Sequence, residues 1–170
     1  LGGNLVINFA LQRSPNFNGV IVTAPLLRTA FEPPKVKLLA AKIMAKLMPT
    51  FTLKNGLETD ALSRDRAIVE AYKNDSYVHD LLSARLGLDM LMNGLSALQN
   101  ASNWTLPLLL MHGTGDRITS HHASQEFAQG AGESVDLILW KENYHEIHND
   151  LEKEEVISKT TQWIDQHING

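Results

Sequence analysis

The sequence predicts an α/β fold, a mostly parallel sheet flanked by helices. Short apolar runs with the character of buried strands alternate along the 170-residue chain with segments of helical periodicity. Parallel strands need a crossover connection, usually a helix, so this alternation is typical of a parallel sheet covered on both faces. One long stretch has helical periodicity only. We therefore expect a core made of residues 1–27 and 104–170, with residues 28–103 forming a helical cap.

The N-terminal core segment is predicted to hold one helix and one strand. Apolar residues recur at helical spacing in residues 1–13, and a β-branched run between turn residues predicts a buried strand at 19–25. No strand precedes the first helix, although a right-handed βαβ unit requires one. We therefore expect the N-terminal strands of the sheet to be missing from this chain.

The cap segment is predicted to contain helices and no strand. The first helix, at 34–48, has one apolar face and another face that carries lysines. A second helix is predicted at 63–73, and a third at 81–99 is interrupted by Gly87 and Gly94. The apolar face of the first helix consists of Val36, Leu39, Ala40, Ile43 and Leu47, and the lysines are Lys35, Lys42 and Lys46.

The C-terminal core segment resumes the alternation of strands and helices. Strands are expected there at 106–111 and 135–140, and helices at 121–130 and 149–167. Asn149 is a candidate N-cap for the closing helix, with Glu152 placed for a capping box.

Composition excludes several classes of function. The net charge of −4 lacks the basic excess that is typical of nucleic-acid-binding proteins. The chain has no cysteine, so disulfides, thiol catalysis and cysteine zinc sites are excluded. No apolar run approaches the roughly 20 residues that span a bilayer. No organic cofactor is implied. His121 and His122 could suggest a metal, but they are adjacent and would diverge on a helix, and no matched carboxylate spacing accompanies them, so we expect no metal.

Two polar loops follow the last two predicted strands, where the catalytic groups of open α/β sheets lie. Residues 112–117 read HGTGDR, whose glycines allow a tight turn that presents Asp116, and residues 141–148 read KENYHEIH and present His145. Histidine can be the base for a hydroxyl nucleophile, and a carboxylate on its far nitrogen fixes the tautomer and stabilises the imidazolium. An α/β-hydrolase supplies its triad acid and histidine in this order. Together they are predicted to be catalytic, although either alone could be a turn or surface residue.

The start of the chain fits the missing member of such a triad. In this fold the nucleophile lies on a strand-to-helix turn of pattern Gly-x-Ser-x-Gly. With serine immediately before Leu1, Leu1 and Gly2 become the final two positions of that pattern. The alternative is an ordinary loop before a helix. We expect the nucleophile serine immediately before Leu1, outside the chain.

Seven segments spread along the whole chain carry a family resemblance. They are LGGN at 1–4, VTAPL at 22–26, LSRD at 62–65, AYKND at 71–75, SARLG at 83–87, LLMHGTGD at 109–116 and YHEIHN at 144–149. Together they resemble the microbial monoacylglycerol lipases and lysophospholipases of the α/β-hydrolase superfamily. The segments of the cap are the more telling part, because the acid and histidine motifs occur throughout the superfamily.

The resemblance implies a serine carboxylester hydrolase that acts on monoacylglycerols or similar single-chain lipid esters through an acyl-enzyme. It makes Asp116 and His145 triad members and makes the backbone N–H of Leu1 an oxyanion-hole donor. It also implies that Tyr72 and His148 lie near the glycerol end of the pocket, where a packing or surface role is equally open for each.

Other functions stay open on the same fold. They are lysophospholipase or short-chain esterase activity, an aspartate nucleophile as in dehalogenases and epoxide hydrolases, and a non-catalytic binding module. The expected partner is a small lipid ester, with no nucleic acid. The lysine-bearing helix at 34–48 could also contact a lipid surface transiently. We expect a cytoplasmic protein that can associate with a membrane surface.

Overall fold

The computed structural model describes residues 1–168, except for the side chains of Lys35 and Lys37. These residues form six helices and five strands. In chain order they are α1 (Gly2–Arg13), β1 (Val20–Thr23), α2 (Lys35–Leu47), β2 (Thr52–Lys54), α3 (Arg66–Asn74), β3 (Leu81–Ser83), α4 (Ala84–Gln99), β4 (Leu108–Gly113), α5 (His121–Ala131), β5 (Val135–Trp140) and α6 (Lys153–Ile168). Each predicted helix and strand has an observed counterpart, but residues 81–83, predicted as the start of a helix, form β3. Residues 169–170, the end of the predicted C-terminal core segment, lie outside the described residues. Among the described helices, none combines the length and apolar character needed to cross a bilayer.

The three core strands form one parallel sheet in the order β1-β4-β5. Val20 of β1 lies opposite Leu108 of β4, which lies opposite Val135 of β5. Because the strands run in one direction, their carboxyl ends share one edge of the sheet, where Gly113 of β4 lies opposite Trp140 of β5. This arrangement confirms the predicted fold class.

Helices cover both faces of this sheet. On one face, Leu110 of β4 belongs to a buried cluster with Ile7 of α1 and Phe127 of α5. On the other face, the next strand residue, Met111, packs in a cluster with Trp163 of α6. Burying a side chain of this size stabilises the fold by about 1.5–3 kcal/mol, so the two clusters fix the helices to the sheet.

A short antiparallel sheet lies within the segment that was predicted to be purely helical. Leu53 of β2 pairs with Leu82 of β3. The expectation of no strand in this segment is wrong. Each strand is only three residues long and β2 is exposed throughout, so neither carries the alternating pattern by which a half-buried strand is recognised.

α3 and α4 differ in detail from the predicted helices. α4 runs through Gly87 and Gly94 without a break, so the predicted interruption is wrong. A Cβ on Gly94 would lie 2.5 Å from the carbonyl oxygen of Leu27, so this glycine lets α4 approach the chain that leaves β1. α3 begins at Arg66, because the side chain of Asp65 caps its first turn.

α2 turns its predicted apolar face away from the rest of the molecule. Val36, Leu39, Ile43 and Leu47, which we call the α2 ridge, are 79%, 59%, 50% and 72% exposed. The helix instead buries Ala45 and packs on α4. The sequence pattern thus identified a real apolar face, but one that the cap does not bury.

The closing helix α6 begins at Lys153, so Asn149 is not its N-cap. The three residues before Asp150 form a 3-10 turn that includes Asn149. The buried Asp150 carboxylate accepts the backbone N–H of Tyr144 at 2.7 Å. The chain before α6 is therefore tied back to the loop after β5 instead of continuing the helix.

Candidate active site

Asp116 and His145 meet at the carboxyl edge of the parallel sheet. Asp116 lies in the loop after β4 and His145 in the loop after β5, and these strands are neighbours in the sheet. His145 Nδ1 lies 2.8 Å from Asp116 Oδ2. The structure thus brings the two predicted triad residues into direct contact, while their catalytic role stays a prediction.

The Asp116 carboxylate is held by donors on both oxygens. Oδ1 accepts the backbone N–H of Ile118 at 2.7 Å and that of Thr119 at 3.0 Å, as in an Asx turn. Oδ2 accepts the Thr119 hydroxyl at 2.7 Å, and His112 Nε2 lies 3.0 Å from it. These contacts fix the plane of the carboxylate so that Oδ2 faces His145.

Burial and hydrogen bonding act on the charge of Asp116 in opposite directions. The side chain is fully buried, and burial by itself would raise the pKa of Asp116. Hydrogen bonds from His112, His145 and Thr119 outweigh burial and hold the pKa of this carboxyl well below its usual range. Asp116 is therefore ionised at neutral pH and can stabilise a positive charge on His145.

Gly113 and Gly115 let the two site loops touch through their backbones. A Cβ on Gly113 would overlap the carbonyl oxygen of Asn143 and would lie 2.5 Å from that of Tyr144. A Cβ on Gly115 would lie 2.6 Å from the carbonyl oxygen of Glu142. Neither glycine has a positive φ. Close approach of the loops, rather than the conformation of a tight turn, is what requires glycine here.

The second ring nitrogen of His145 is available for chemistry. The side chain is 22% exposed, and Nε2 makes no hydrogen bond within the described part of the chain. An ionised carboxylate can only accept, so the hydrogen-bond network assigns the proton of the neutral ring to Nδ1. Nε2 is then an acceptor that can take a proton from a hydroxyl placed beside it.

Residues 58–64, which we call the rim segment, run from the cap across the loop that carries His145. The backbone N–H of Glu146 donates to the carbonyl oxygen of Leu62 at 2.8 Å, and that of His145 lies 3.4 Å from the carbonyl oxygen of Ala61. The backbone of the His145 loop is therefore bonded to a part of the chain that the sequence assigned to the cap.

Arg64 adds charged hydrogen bonds to this contact. Its Nε donates to Asp150 at 3.0 Å, its Nη2 donates to Asn143 Oδ1 at 2.9 Å, and it also pairs with Glu152. The Asp150 side chain is fully buried, and that of Arg64 is 20% exposed. Burial alone would lower the pKa of Arg64, but Asp150 and Glu152 outweigh it and raise the pKa. The His145 loop is thus held to the rim segment by a permanently charged group.

Leu1 lies near the same edge of the sheet. It precedes the first turn of α1, in which a Cβ on Gly3 would lie 3.1 Å from Pro25 Cβ. The carbonyl oxygen of Ala24, next to Pro25, lies 3.3 Å from Thr119 Oγ1, which bonds to Asp116. The start of α1 is therefore connected to the candidate site through the residues that follow β1.

Tyr72 and His148 are placed less definitely than the other predicted site residues. Tyr72 is half-buried on α3, and His148 is exposed in the 3-10 turn before α6. Within the described part of the chain, neither side chain hydrogen-bonds to Asp116 or His145. A substrate-binding role for either residue stays a prediction.

His121 and His122 lie together at the start of α5, with ring centroids 4.0 Å apart, so the expectation that the two side chains diverge is wrong. Burial lowers the pKa of His121, and the neighbouring His122 and His112 act in the same direction. Among residues 1–168, no three His, Asp or Glu side chains are grouped so that they could hold a metal ion.

Four residues around Asp116 and His145 were not identified by the sequence analysis: His112, Thr119, Arg64 and Asp150. A polar residue at the end of the apolar run LLLM was an available signal for His112. Arg64 and Asp150 are 86 positions apart, so no local pattern could have linked them.

A buried acid and a histidine that follow adjacent parallel strands in this order, beneath a helical insertion, define the core of an α/β-hydrolase. Comparison with known proteins agrees and is more specific. The sequence profile of the hydrolase family described as serine aminopeptidase, S33, matches residues 1–152, and the chain belongs to this family.

Similar proteins confirm the resemblance to monoacylglycerol lipases. The chain is 31% identical over 99% of its length to a monoacylglycerol lipase of Mycolicibacterium smegmatis, and covers 60% of that protein. It is 35% identical over 99% of its length to an uncharacterized abhydrolase domain-containing protein of Dictyostelium discoideum, and covers 18% of it. The crystal structure of a monoacylglycerol lipase of Paleococcus ferrophilus matches with a TM-score of 0.92 at 30% identity, over 97% of this chain and 65% of that one. The chain thus spans less than two thirds of each of these proteins.

Proposed function

We propose that the full-length protein is a serine carboxylester hydrolase that cleaves monoacylglycerols or similar single-chain lipid esters. The observation that carries this proposal is the 2.8 Å contact between His145 Nδ1 and the buried Asp116 carboxylate. The names of two relatives, the monoacylglycerol lipases of M. smegmatis and P. ferrophilus, support the substrate class. The rim segment, which belongs to the predicted cap, is bonded to the His145 loop at this edge of the sheet, which fits a site that the cap borders.

In the proposed first step, a serine bonded to the nitrogen of Leu1 attacks the ester. His145 Nε2 removes the proton from the serine Oγ as that oxygen bonds to the carbonyl carbon. Asp116 stabilises the imidazolium that forms. The backbone N–H of Leu1, the first after the nucleophile, donates to the developing oxyanion. When the intermediate collapses, His145 returns its proton to the leaving glycerol oxygen, which leaves an acyl-serine.

In the second step, water takes the place of the serine as the nucleophile and attacks the acyl-serine. His145 Nε2 takes a proton from water as the water oxygen attacks the acyl carbon, and the proton passes to the serine Oγ as the fatty acid departs. In both steps the Asp116 carboxylate stabilises the positive charge on His145. A low pKa suits Asp116 for this role because it must stay ionised throughout.

A serine before Leu1 is supported by the position of α1. The first turn of this helix packs against Pro25, just beyond β1, on the side of the site where Thr119 contacts Asp116. A nucleophile that immediately precedes this turn would approach the same edge as His145. The N-terminus of a helix also favours the negative charge of an oxyanion.

The α2 ridge supports a lipid substrate taken from a surface. Its four apolar side chains are at least half exposed, and Lys42 and Lys46 on the same helix are exposed as well. A helix with an apolar face and basic residues can lie at the interface of an anionic membrane, where each buried methylene contributes about 0.8 kcal/mol. We propose that a cytoplasmic form of the protein touches lipid surfaces transiently through this helix.

Tyr72 and His148 are proposed to border the glycerol end of the substrate. Both can hydrogen-bond to a hydroxyl group, and His148 lies three residues after His145 on the loop that follows β5. Their role is the part of the proposal that depends most on resemblance.

Monoacylglycerol hydrolysis by the full-length protein and its H145A variant tests the proposed function. We expect the native protein to release fatty acid, and H145A to be at least about 10³-fold slower with an unchanged melting temperature. His122→Ala is the matched control, because His122 is an exposed histidine that bonds to Gln125 and not to the site. Native protein that cleaves no ester, or H145A with undiminished turnover, would contradict the proposal.

A further inference from the structure

His112 is a fully buried histidine to which the proposed mechanism assigns no proton transfer. It is the penultimate residue of β4, after four apolar residues, and has no exposed surface. Burying an imidazole is unfavourable unless both of its nitrogens are hydrogen-bonded. The partners of the two nitrogens therefore indicate what this residue does.

Both ring nitrogens of His112 have a close partner. Nδ1 lies 2.7 Å from Ser124 Oγ on α5. Nε2 lies 3.0 Å from Asp116 Oδ2 and, more distantly, 3.2 Å from Thr119 Oγ1. The ionised carboxylate can only accept, so Nε2 carries a proton and donates it. The neutral ring then accepts the Ser124 hydroxyl on Nδ1. The carboxylate thus selects the tautomer, and Ser124, which is also fully buried, satisfies the ring nitrogen that carries no proton.

The acceptor of this hydrogen bond is the same oxygen that orients His145. Asp116 Oδ2 receives the Thr119 hydroxyl at 2.7 Å, His145 Nδ1–H at 2.8 Å and His112 Nε2–H at 3.0 Å. Each added donor draws charge density from the oxygen and restricts its direction. We propose that His112 is a positioning residue: it holds Asp116 Oδ2 toward His145 and limits how strongly this oxygen attracts the His145 imidazolium.

Removing the donor should change the pH dependence of the reaction. In H112L the Asp116 carboxylate loses one of three donors on Oδ2, so it accepts a proton more readily and pairs more tightly with the imidazolium. Both effects move the acid limb of the kcat/KM profile to higher pH. We expect a shift of about 0.5–1 pH unit, since a tenfold change in a protonation equilibrium corresponds to one unit.

Other titratable groups near His112 are few. Asp116 faces it from its own loop, and His145 reaches the same carboxylate from the loop after β5. His121 faces it from α5, with 6.4 Å between ring centroids, and stacks in turn on His122. His121→Gln is therefore a control for the electrostatic influence of α5, and should leave the direction of the H112L shift unchanged.

Three further variants separate hydrogen bonding from packing. H112Q can place an amide N–H where Nε2–H lies, so its acid limb should return to within about 0.2 pH unit of the native value. Ser124→Ala removes the hydrogen bond that holds Nδ1, so the ring is held less firmly against Asp116 and the shift should be smaller but in the direction of H112L. Phe127→Leu removes volume from the buried cluster on α5 without contacting Asp116, so it should lower the melting temperature and leave the acid limb in place.

The experiment compares these variants in the full-length protein by two readouts. The kcat/KM profile on a soluble p-nitrophenyl ester is the kinetic readout, and it rests on the proposed function. The downfield proton resonance of His145 Nδ1–H is independent of turnover; we expect it further downfield in H112L and near its native position in H112Q. A protein that hydrolyses no ester would overturn the proposed function, while the resonance would still decide the role of His112.

Two results would overturn the role of His112. One is an H112L variant with the native acid limb and the native resonance. The other is an H112Q variant that shifts as far as H112L, because packing rather than donation would then be the cause. If H112L does not fold, Ser124→Ala decides the question. An unshifted His145 Nδ1–H resonance in Ser124→Ala overturns the proposal. A downfield shift in Ser124→Ala, together with a native position in H112Q, supports it.

Discussion

Replacing Arg64 with alanine tests whether the charged contacts of the rim segment hold the His145 loop in place. The side chain donates to Asp150, Asn143 and Glu152, and the first of these is a fully buried carboxylate. After the substitution, Asp150 keeps only backbone N–H donors. We therefore expect a loss of stability together with slower ester turnover, because the loop that carries His145 begins and ends at these contacts.

The size of the effect follows from the burial of the pair. Removing one partner of a buried ion pair costs about 3–5 kcal/mol. Arg64 is 20% exposed, and the backbone N–H of Tyr144 still donates to Asp150, so the lower end of about 3 kcal/mol is appropriate. One kcal/mol corresponds to about 2–4 °C in chains of 150–250 residues. The melting temperature should therefore fall by about 6–12 °C.

Thermal unfolding and urea titration of the full-length protein measure this change, with Arg66→Ala as the matched control. Arg66 lies two residues further along the chain, its side chain is 79% exposed, and its nearest carboxylate, that of Asp60, is 3.7 Å away. Such a surface pair is worth at most about 1 kcal/mol. If Arg64→Ala and Arg66→Ala melt within about 2 °C of each other, the reasoning about the buried pair is wrong.

Three further predictions concern Asp116, the loop contact and the cap. Because the folded pKa of Asp116 lies below its unfolded value, its stabilisation is present above the unfolded pKa and is lost as pH falls toward the folded pKa. Between about pH 4 and pH 2 the free energy of unfolding should therefore fall more steeply in the native protein than in D116N, by up to about 1.4 kcal/mol per pH unit. Equal slopes of the two proteins would contradict this. Gly113→Ala should lower the free energy of unfolding by about 1–3 kcal/mol and abolish most ester turnover, because the added Cβ overlaps the carbonyl oxygen of Asn143. A native-like melting temperature would refute the loop contact. The double variant L39S/I43S should bind anionic vesicles several-fold more weakly in a sedimentation assay and hydrolyse a soluble ester at the native rate, and unchanged vesicle binding would exclude the α2 ridge as a lipid contact.

The core and the contact between Asp116 and His145 could be predicted because each depends on short-range patterns. β5 and the helices of the core are marked by apolar periodicity, and parallel strands must present their carboxyl ends at one edge. Asp116 and His145 follow consecutive strands, so their meeting at that edge was a geometric consequence of the fold. The tight turn predicted before Asp116 is present, since the Asp116 N–H donates to the carbonyl oxygen of Gly113 at 3.2 Å, but it is the approach of the loop at 142–144 that requires the two glycines.

The rest of the site depends on contacts that no local pattern records. Arg64 and Asp150 meet across 86 positions, and Asp150 diverts the chain so that Asn149 does not cap α6. Strands as short as β2 and β3 carry too few residues to show a period. The α2 ridge had the correct periodicity, but periodicity indicates an apolar face without stating whether that face is buried.

Labelling of the full-length protein with a fluorophosphonate, followed by peptide mass spectrometry, tests the central claim most directly. Such a probe forms a covalent bond with a serine that a nearby histidine has activated. We predict a single adduct on a serine whose carbonyl is bonded to the nitrogen of Leu1, and labelling at least about 10³-fold slower in H145A. An adduct on any other residue, or labelling at an undiminished rate in H145A, would contradict the claim that Asp116 and His145 serve a nucleophile at the start of α1.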